Sequence, residues 1–230
     1  MAAHGKAAGL PTDPALILDV TAHQWWWGIR YNAKEDSEVF ETANEIHIPV
    51  GVPVLIRLHA DDVIHSFWVP KLSRKETAIP GQTNLSWIEA PAAGRYRGQC
   101  SDYCGDQHVN MAFEVVAQPQ AAFERWRTAQ LAPAPQPASA AQRRGLAVVE
   151  YRCGLCHEVR GTRAEAASAP DLTHLLSRRM LAAGTLPNTA GTRLAWIRNG
   201  QELKPDNSMP NQYLPGPELL DVAAYLELLK

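Results

Sequence analysis

Four cysteines and a few of the histidines and methionines stand at spacings that suit metal chemistry. The first group runs Cys100-Ser101-Asp102-Tyr103-Cys104-Gly105-Asp106-Gln107-His108-Val109-Asn110-Met111, which reads C-x3-C-x3-H-x2-M. Two thiolates, an imidazole and a thioether on one loop form a soft ligand set. Soft sulfur donors select copper, and a thioether is not a usual zinc ligand. One cysteine with two histidines and a weak methionine would hold a single copper. A second cysteine in the same loop lets both sulfurs bridge two coppers. One electron is then spread over both metals, and little geometry changes on transfer. A second imidazole must come from outside the loop. His65, in Asp62-Val63-Ile64-His65-Ser66-Phe67-Trp68, is the leading candidate, with His23, His47 and His59 as rivals. His47 and His59 lie in apolar strand patterns, where a lone histidine is more often structural.

The second group is Cys153-Gly154-Leu155-Cys156-His157, the C-x-x-C-H pattern of c-type haem attachment. Cysteines at i and i+3 share one face of a helical turn. Both sulfurs can therefore reach the vinyl groups of one porphyrin, and His157 can turn to the iron as proximal ligand. A redox disulfide of the thioredoxin kind would need a βαβ context that this text lacks. For the sixth position the chain offers His174, Met180 and Met209 beyond the motif. Met180 stands amid Arg178-Arg179 and what reads as an Ala-rich helix, a packing position. Met209 lies in Asn207-Ser208-Met209-Pro210, a loop that can deliver a thioether to the open haem face. His/Met ligation raises the potential and suits electron transfer.

These groups need two different scaffolds. The chain has 230 residues, 46% of them hydrophobic and 20% charged, a globular composition of one or two domains' length. Four cysteines are too few for a disulfide framework at this length. A net charge of -2 makes no case for nucleic acid, and no apolar run reaches the length of a membrane span. The proline- and alanine-rich stretch 132–140 reads as a semi-extended linker. Before it, strand signals dominate at 46–49, 54–58, 84–88 and 111–116, with Gly and Pro between them, as in a sandwich or small barrel. A helix over 120–131 closes that part. After the linker, helical patterns appear at 142–153, at 192–198 ending by Gly200, and at 217–229. Charge divides the same way. Residues 1–118 hold 9 Lys and Arg against 14 Asp and Glu, and residues 119–230 hold 13 against 10. A basic second domain can thus dock on an acidic first one.

Residues 15–131 resemble the CuA domain of cytochrome c oxidase subunit II. The resemblance rests on His23-Gln24-Trp25-Trp26-Trp27, His65-Ser66-Phe67-Trp68-Val69-Pro70-Lys71-Leu72, Ile79-Pro80-Gly81-Gln82-Thr83-Asn84 and the Cys100–Met111 loop. It implies an all-β cupredoxin-like Greek-key barrel. It also implies a dinuclear copper centre held by His65, Cys100, Cys104, His108, Met111 and the backbone carbonyl of Asp102. The family usually has glutamate where Asp102 stands, and there the side chain also reaches a magnesium ion at the contact with subunit I. Asp102 is one carbon shorter. The resemblance places an electron-entry tryptophan at Trp25, expected as a surface ring near copper. Packing of alternate rings into the barrel is the other reading of the Trp25-Trp26-Trp27 run.

Residues 141–230 resemble a class I cytochrome c, an all-α fold with haem c attached at Cys153 and Cys156 and its iron between His157 and Met209. Ala169-Pro170-Asp171-Leu172 is similar to the loop that packs on the proximal side. The two together resemble subunit II of the caa-type haem–copper oxidases. That implies a path from an external donor, a cytochrome or a cytochrome bc complex, to the haem, then to the copper pair, then to haem a of subunit I, where oxygen is reduced. Other oxidase subunits and a membrane would be neighbours, on the external, periplasmic face. The family's two membrane helices are not in this text, so residues 1–14 read as a remnant of that region and the chain as a soluble extramembrane portion. The rival readings are a mononuclear cupredoxin–cytochrome c relay to another reductase, and a copper-binding or delivery protein. The second cysteine counts against the first, and the haem motif against the second.

Overall fold

The computed structural model describes residues 9–230. The expected remnant at 1–14 falls mostly on residues 1–8, outside the described residues. The first domain is a sandwich of two five-stranded sheets. One sheet runs β3 (Phe40–Ala43), β2 (Trp26–Asn32), β1 (Leu16–His23), β5 (Val54–Ala60), β8 (Asn84–Ile88). The other runs β4 (Glu45–Pro49), β10 (Ala112–Gln118), β9 (Gly94–Cys100), β6 (His65–Trp68), β7 (Glu76–Ala78). The pairs β1/β5 and β4/β10 are parallel, and the other pairs are antiparallel. Strand β1 alternates buried and half-buried residues along its length, the period-2 signature of a face turned to a core. Helix α1 (Gln120–Leu131) occupies the residues expected of it.

Between the sheets lies an aromatic cluster. Trp27, Phe67 and Phe113 are fully or almost fully buried, with ring centroids 4.7–5.9 Å apart, inside the range where aromatic pairs gain beyond area alone. The backbone of β9 passes close against this cluster. A Cβ at Gly98 would stand 2.2 Å from the Phe113 ring, so only glycine fits there.

The second domain is helical. Helix α2 (Ala140–Val148) starts on a capping box, with Ser139 accepting from the Gln142 amide and the Gln142 side chain returning to the Ser139 amide. The expected helix 142–153 does not run through in one geometry. At 149–153 it widens into a turn with i→i+5 bonding, whose last residue is the first haem-motif cysteine, Cys153. Helix α3 (Ala190–Leu203) starts on a Thr189 cap and kinks at Asn199, so Gly200 does not end it. Helix α4 (Gly216–Leu226) packs on α2, where Arg144 pairs with Asp221 through two bonds of 2.7 and 2.8 Å. The Ala-rich helix expected beyond Met180 is instead a two-stranded hairpin, β11 (Met180–Leu181) and β12 (Leu186–Pro187). Its turn holds Ala182, Ala183 and Gly184 at positive φ. Among the described residues no helix is long and apolar enough to cross a membrane.

The segment between the domains has the extended backbone expected of it, yet it is not loose. Ala134 is buried in the core of the helical domain. Its amide donates to Arg160 O at 2.9 Å, and Ala132 O faces His174 Nε2 at 3.0 Å. The domains also meet through charge, as their composition suggested. Arg179, beside β11, bonds the Glu114 carboxylate of β10, and the buried Arg178 donates to Thr42 Oγ1 at 3.3 Å.

Gly98→Ala is expected to destabilise the sandwich by about 1–3 kcal/mol, the usual cost of overpacking. Urea denaturation followed by tryptophan fluorescence measures this. A change within about 0.5 kcal/mol, the scatter of neutral surface substitutions, would contradict the packing described.

Candidate metal and haem centres

Strand pairing brings the copper-type ligands together. In the β6/β9 ladder Phe67 lies opposite Cys100. His65, two residues before Phe67, points to the same side and is fully buried. The Ser101 amide donates to Ser66 O, which ties the start of the loop to β6. The loop then turns back through a short 3₁₀ turn at His108–Asn110, and the Cys100 amide donates to Met111 O at 3.0 Å. Both ends of the C-x3-C-x3-H-x2-M motif are thereby fixed to one sheet.

Inside this frame the donor atoms converge. Cys100 Sγ and Cys104 Sγ lie 3.7 Å apart. His65 Nδ1 is 3.8 Å from Cys100 Sγ, and His108 Nδ1 is 3.5 Å from Cys104 Sγ. Met111 Sδ is 3.8 Å from Cys104 Sγ, and Asp102 O is 3.3 Å from Cys100 Sγ. The ligand atoms of His65, Cys100 and Cys104 all fall within 4.8 Å of one another, and all three residues are buried. Two sulfurs side by side, flanked by one imidazole each and by a thioether and a carbonyl, form a soft donor set that would suit a pair of copper ions. The rival histidines lie elsewhere. His47 stacks on Trp126 at 4.0 Å and bonds Gln118. His59 faces Asp19 and Thr83. His23 stacks on Trp26 at 4.2 Å and pairs with Asp61.

The surroundings orient the donors. Asp62 Oδ1 holds His65 Nε2 at 2.8 Å, which leaves Nδ1 facing the sulfurs, the usual role of a carboxylate behind a metal-bound histidine. Burial works against a charged His65, but Cys100 and Asp62 outweigh it and raise its pKa. The Cys104 thiol beside it, with His65, lowers the pKa of Cys100 against the effect of burial, and the same contact together with burial raises that of Cys104. Gln24 Nε2 and Trp25 Nε1 both donate to Cys104 O, at 2.7 and 3.0 Å. Gly105 sits at φ +115, and a Cβ there would meet the Trp25 ring at 2.9 Å. Gln99 Nε2 donates to His108 O and Met111 O. Trp25 is not the surface ring expected of it. It is 8% exposed and belongs to the buried core of the first domain, as the packing reading of the tryptophan run expected, and Lys204 Nζ of the helical domain bonds its backbone carbonyl. The Asp102 carboxylate, one carbon shorter than the glutamate that reaches magnesium in the family, pairs with Lys75 Nζ.

In the helical domain the Cys156 and His157 amides both donate to Cys153 O, at 3.0 and 2.9 Å, which makes the motif a helical turn. His157 Nδ1 donates to Pro170 O at 2.7 Å, on the loop Ala169–Leu172 singled out in the sequence. Burial lowers the His157 pKa. The ring is thus neutral, with Nδ1 protonated and Nε2 free to bind iron. Both thiols are free. Two free thiols and an oriented neutral imidazole fit a covalently attached haem. His174 is spent as a ligand, since both ring nitrogens are engaged, by Ala132 O and Lys230 O. Met209 packs against the core of this domain, and its loop is braced by Gln201 Nε2, which donates to Asn207 O and Met209 O at 2.6 and 2.7 Å. Met180 lies on β11, in the hairpin that faces the first domain.

Comparison with known proteins agrees with this division. Residues 33–118 match the family described as cytochrome C oxidase subunit II, periplasmic domain, and residues 142–230 match cytochrome c. A curated relative, cytochrome c oxidase subunit 2 of Alkalihalophilus pseudofirmus, is 36% identical over 220 residues, 95% of this chain and 62% of the relative. The chain thus spans under two thirds of that relative's length. Among solved structures, the periplasmic domain of subunit II of cytochrome oxidase from Bradyrhizobium japonicum is 29% identical. It has a TM-score of 0.49 and covers 53% of this chain and 96% of that one. A mixed disulfide between a thioredoxin-like protein and subunit II of cytochrome c oxidase is 26% identical, with a TM-score of 0.48, over 55% of this chain and 97% of that one.

Asp62→Ala is expected to weaken copper binding by about 10- to 100-fold, the usual cost of losing the partner behind a metal-bound histidine. Titration against a copper chelator of known affinity reads this directly. An unchanged affinity would show that packing alone aims His65.

Proposed function

Because the chain joins a cytochrome c oxidase subunit II periplasmic domain to a cytochrome c domain, we propose that it is the electron-transfer subunit of a haem–copper terminal oxidase. In this reading it takes electrons from an external donor, a cytochrome or a cytochrome bc complex, at its helical domain. It hands them across its copper domain to haem a of subunit I, where oxygen is reduced to water. It works on the periplasmic face of a bacterial cytoplasmic membrane. The observation that carries the proposal is the pair of sulfurs 3.7 Å apart, buried in the core of the first domain, on a chain whose second domain carries a haem-attachment turn.

His65, Cys100, Cys104, His108, Met111 and the Asp102 carbonyl would hold the copper pair. Cys153 and Cys156 would attach the haem, and His157 and Met209 would bind its iron. When bound, these groups supply one-electron redox chemistry without substrate bonds being made or broken. The protein's own residues supply rigidity and shielding. The strand pairing, Gln99 and Asp62 keep the donors from moving when charge changes, and Trp27 and Phe67 keep water from the back of the site. Thioether ligation from Met209 would raise the haem potential. Trp25, whose ring bonds Cys104 O and whose carbonyl is bonded by Lys204 of the helical domain, is the ring through which the electron enters the copper domain. The second sulfur at bridging distance favours the dinuclear site over a mononuclear relay.

The test is stopped-flow reduction of the chain carrying both copper and haem. The haem is expected to be reduced first, and the copper absorption to bleach afterwards at a rate independent of protein concentration. A second phase that scales with concentration would mean transfer between molecules and contradict the internal path. Met209→Ala is expected to leave covalent haem in place, abolish the thioether-to-iron absorption band and lower the haem potential. A potentiometric titration that finds the band and potential unchanged would remove Met209 from the ligand set.

A further inference from the structure

Lys204 is the one lysine side chain in the described structure that is wholly enclosed, at 2% exposure. It lies at the end of α3 in the helical domain. Its Nζ donates to Trp25 O at 2.8 Å, Asn110 O at 2.8 Å and Ala182 O at 2.9 Å. An ammonium has three donors and no acceptor, so all three are used. The three carbonyls come from different places: the turn before β2, the copper loop one residue before Met111, and the hairpin of the helical domain. No carboxylate pairs with Lys204 among the described residues. A charge taken out of water with only carbonyl dipoles around it is costly. Burial pulls its pKa down to about 7.

The same helix end also holds the Met209 loop. Asn207 Nδ2 donates to Gly200 O and Lys204 O, at 3.0 and 2.6 Å, and Gln201 donates to Asn207 O and Met209 O. On the other side, Trp25 Nε1 donates to Cys104 O. A continuous bonded chain therefore runs from the Met209 loop through α3 and Lys204 to Trp25 and the copper loop. The hairpin that completes it carries two consecutive alanines at φ 51 and 57, a conformation alanine avoids, and Ala183 O accepts the Ala112 amide at 2.9 Å. Backbone held in such a conformation is found where the surroundings require it.

We propose that Lys204 is a positioning residue that clamps the haem domain onto the copper loop and so sets the rate of transfer between the two centres. This rests on the reading that electrons pass from haem to copper within one chain. The transfer it serves moves one electron: ferrous haem becomes ferric and the copper pair is reduced by one. The docked arrangement keeps Trp25 and the Met209 loop on the same short connection in every molecule, where a tether alone would leave them to collide.

Two variants of the full chain test this, Lys204→Met, which removes all three donors, and Lys204→Gln, which stays polar but cannot reach three carbonyls. Before any metal is added, small-angle scattering and limited proteolysis within 132–139 report docking. Both variants are expected to show a larger radius and faster cleavage there, because each domain keeps its own core. With copper and haem loaded, absorption spectra of both centres are expected to be those of the parent. Haem reduction by external donor is expected to be unchanged, and haem-to-copper transfer to fall at least roughly tenfold, the loss that about 1.4 kcal/mol corresponds to. Parent-like transfer and docking in either variant would overturn the proposal. If the parent chain itself shows no haem-to-copper transfer, the electron path is wrong, and the scattering and proteolysis still decide the clamp.

Discussion

Two thiol sulfurs held 3.7 Å apart in a buried pocket are the constraint around which this protein is built. Two imidazoles, a thioether and a carbonyl crowd the same pocket, and polar groups facing each other out of water repel unless something holds or fills them. The structure meets this with a rigid frame. The β6/β9 pairing sets His65 against Cys100, Gln99 braces the far side of the loop, and Asp62 fixes the tautomer of His65. Gly105 lets Trp25 lie flat against the loop and bond Cys104 O. A site whose donors are held in place before a charge arrives has little to rearrange when it does, which is what one-electron transfer needs.

Much of this was legible in the sequence, and the reasons differ by element. The loop Cys100–Met111 and the motif Cys153–His157 are local, so their spacing alone carried their chemistry. The strands at 46–49, 54–58 and 84–88 were visible because they are short runs of aliphatic or alternating residues. Strand β9, Gly94-Arg95-Tyr96-Arg97-Gly98-Gln99-Cys100, was not. Gly98 packs under Phe113 and its arginines face solvent, a pattern that only makes sense once the neighbouring strand is known. The hairpin at 180–187 reads as helix because alanine favours helix, yet its turn is bent to positive φ by docking on β10. Asp62 stands three residues from His65 and could have been suspected from that spacing. Lys204 carried no signal, since its three partners are carbonyls distributed along the chain.

The relation between the domains was half legible. The charge split anticipated that a basic surface meets an acidic one, and Arg179 on Glu114 is that contact. The proline-rich segment read as a semi-extended linker; were it loose, effective concentration would govern the encounter. With Ala134 buried and Ala132 bonded to His174, the segment behaves as part of the interface. Trp25 changes meaning for the same reason. As a surface ring it would receive an electron from a partner that comes and goes, whereas a buried ring whose carbonyl is bonded by Lys204 of the second domain belongs to a fixed connection inside one molecule.

The most direct measurement is copper content per chain together with the electron paramagnetic resonance spectrum of the purified chain loaded with copper. Two coppers with a seven-line mixed-valence signal are predicted, because the two sulfurs lie 3.7 Å apart with one imidazole beside each. One copper with a four-line signal would mean that only one sulfur ligates, and it would contradict the dinuclear centre on which the account depends.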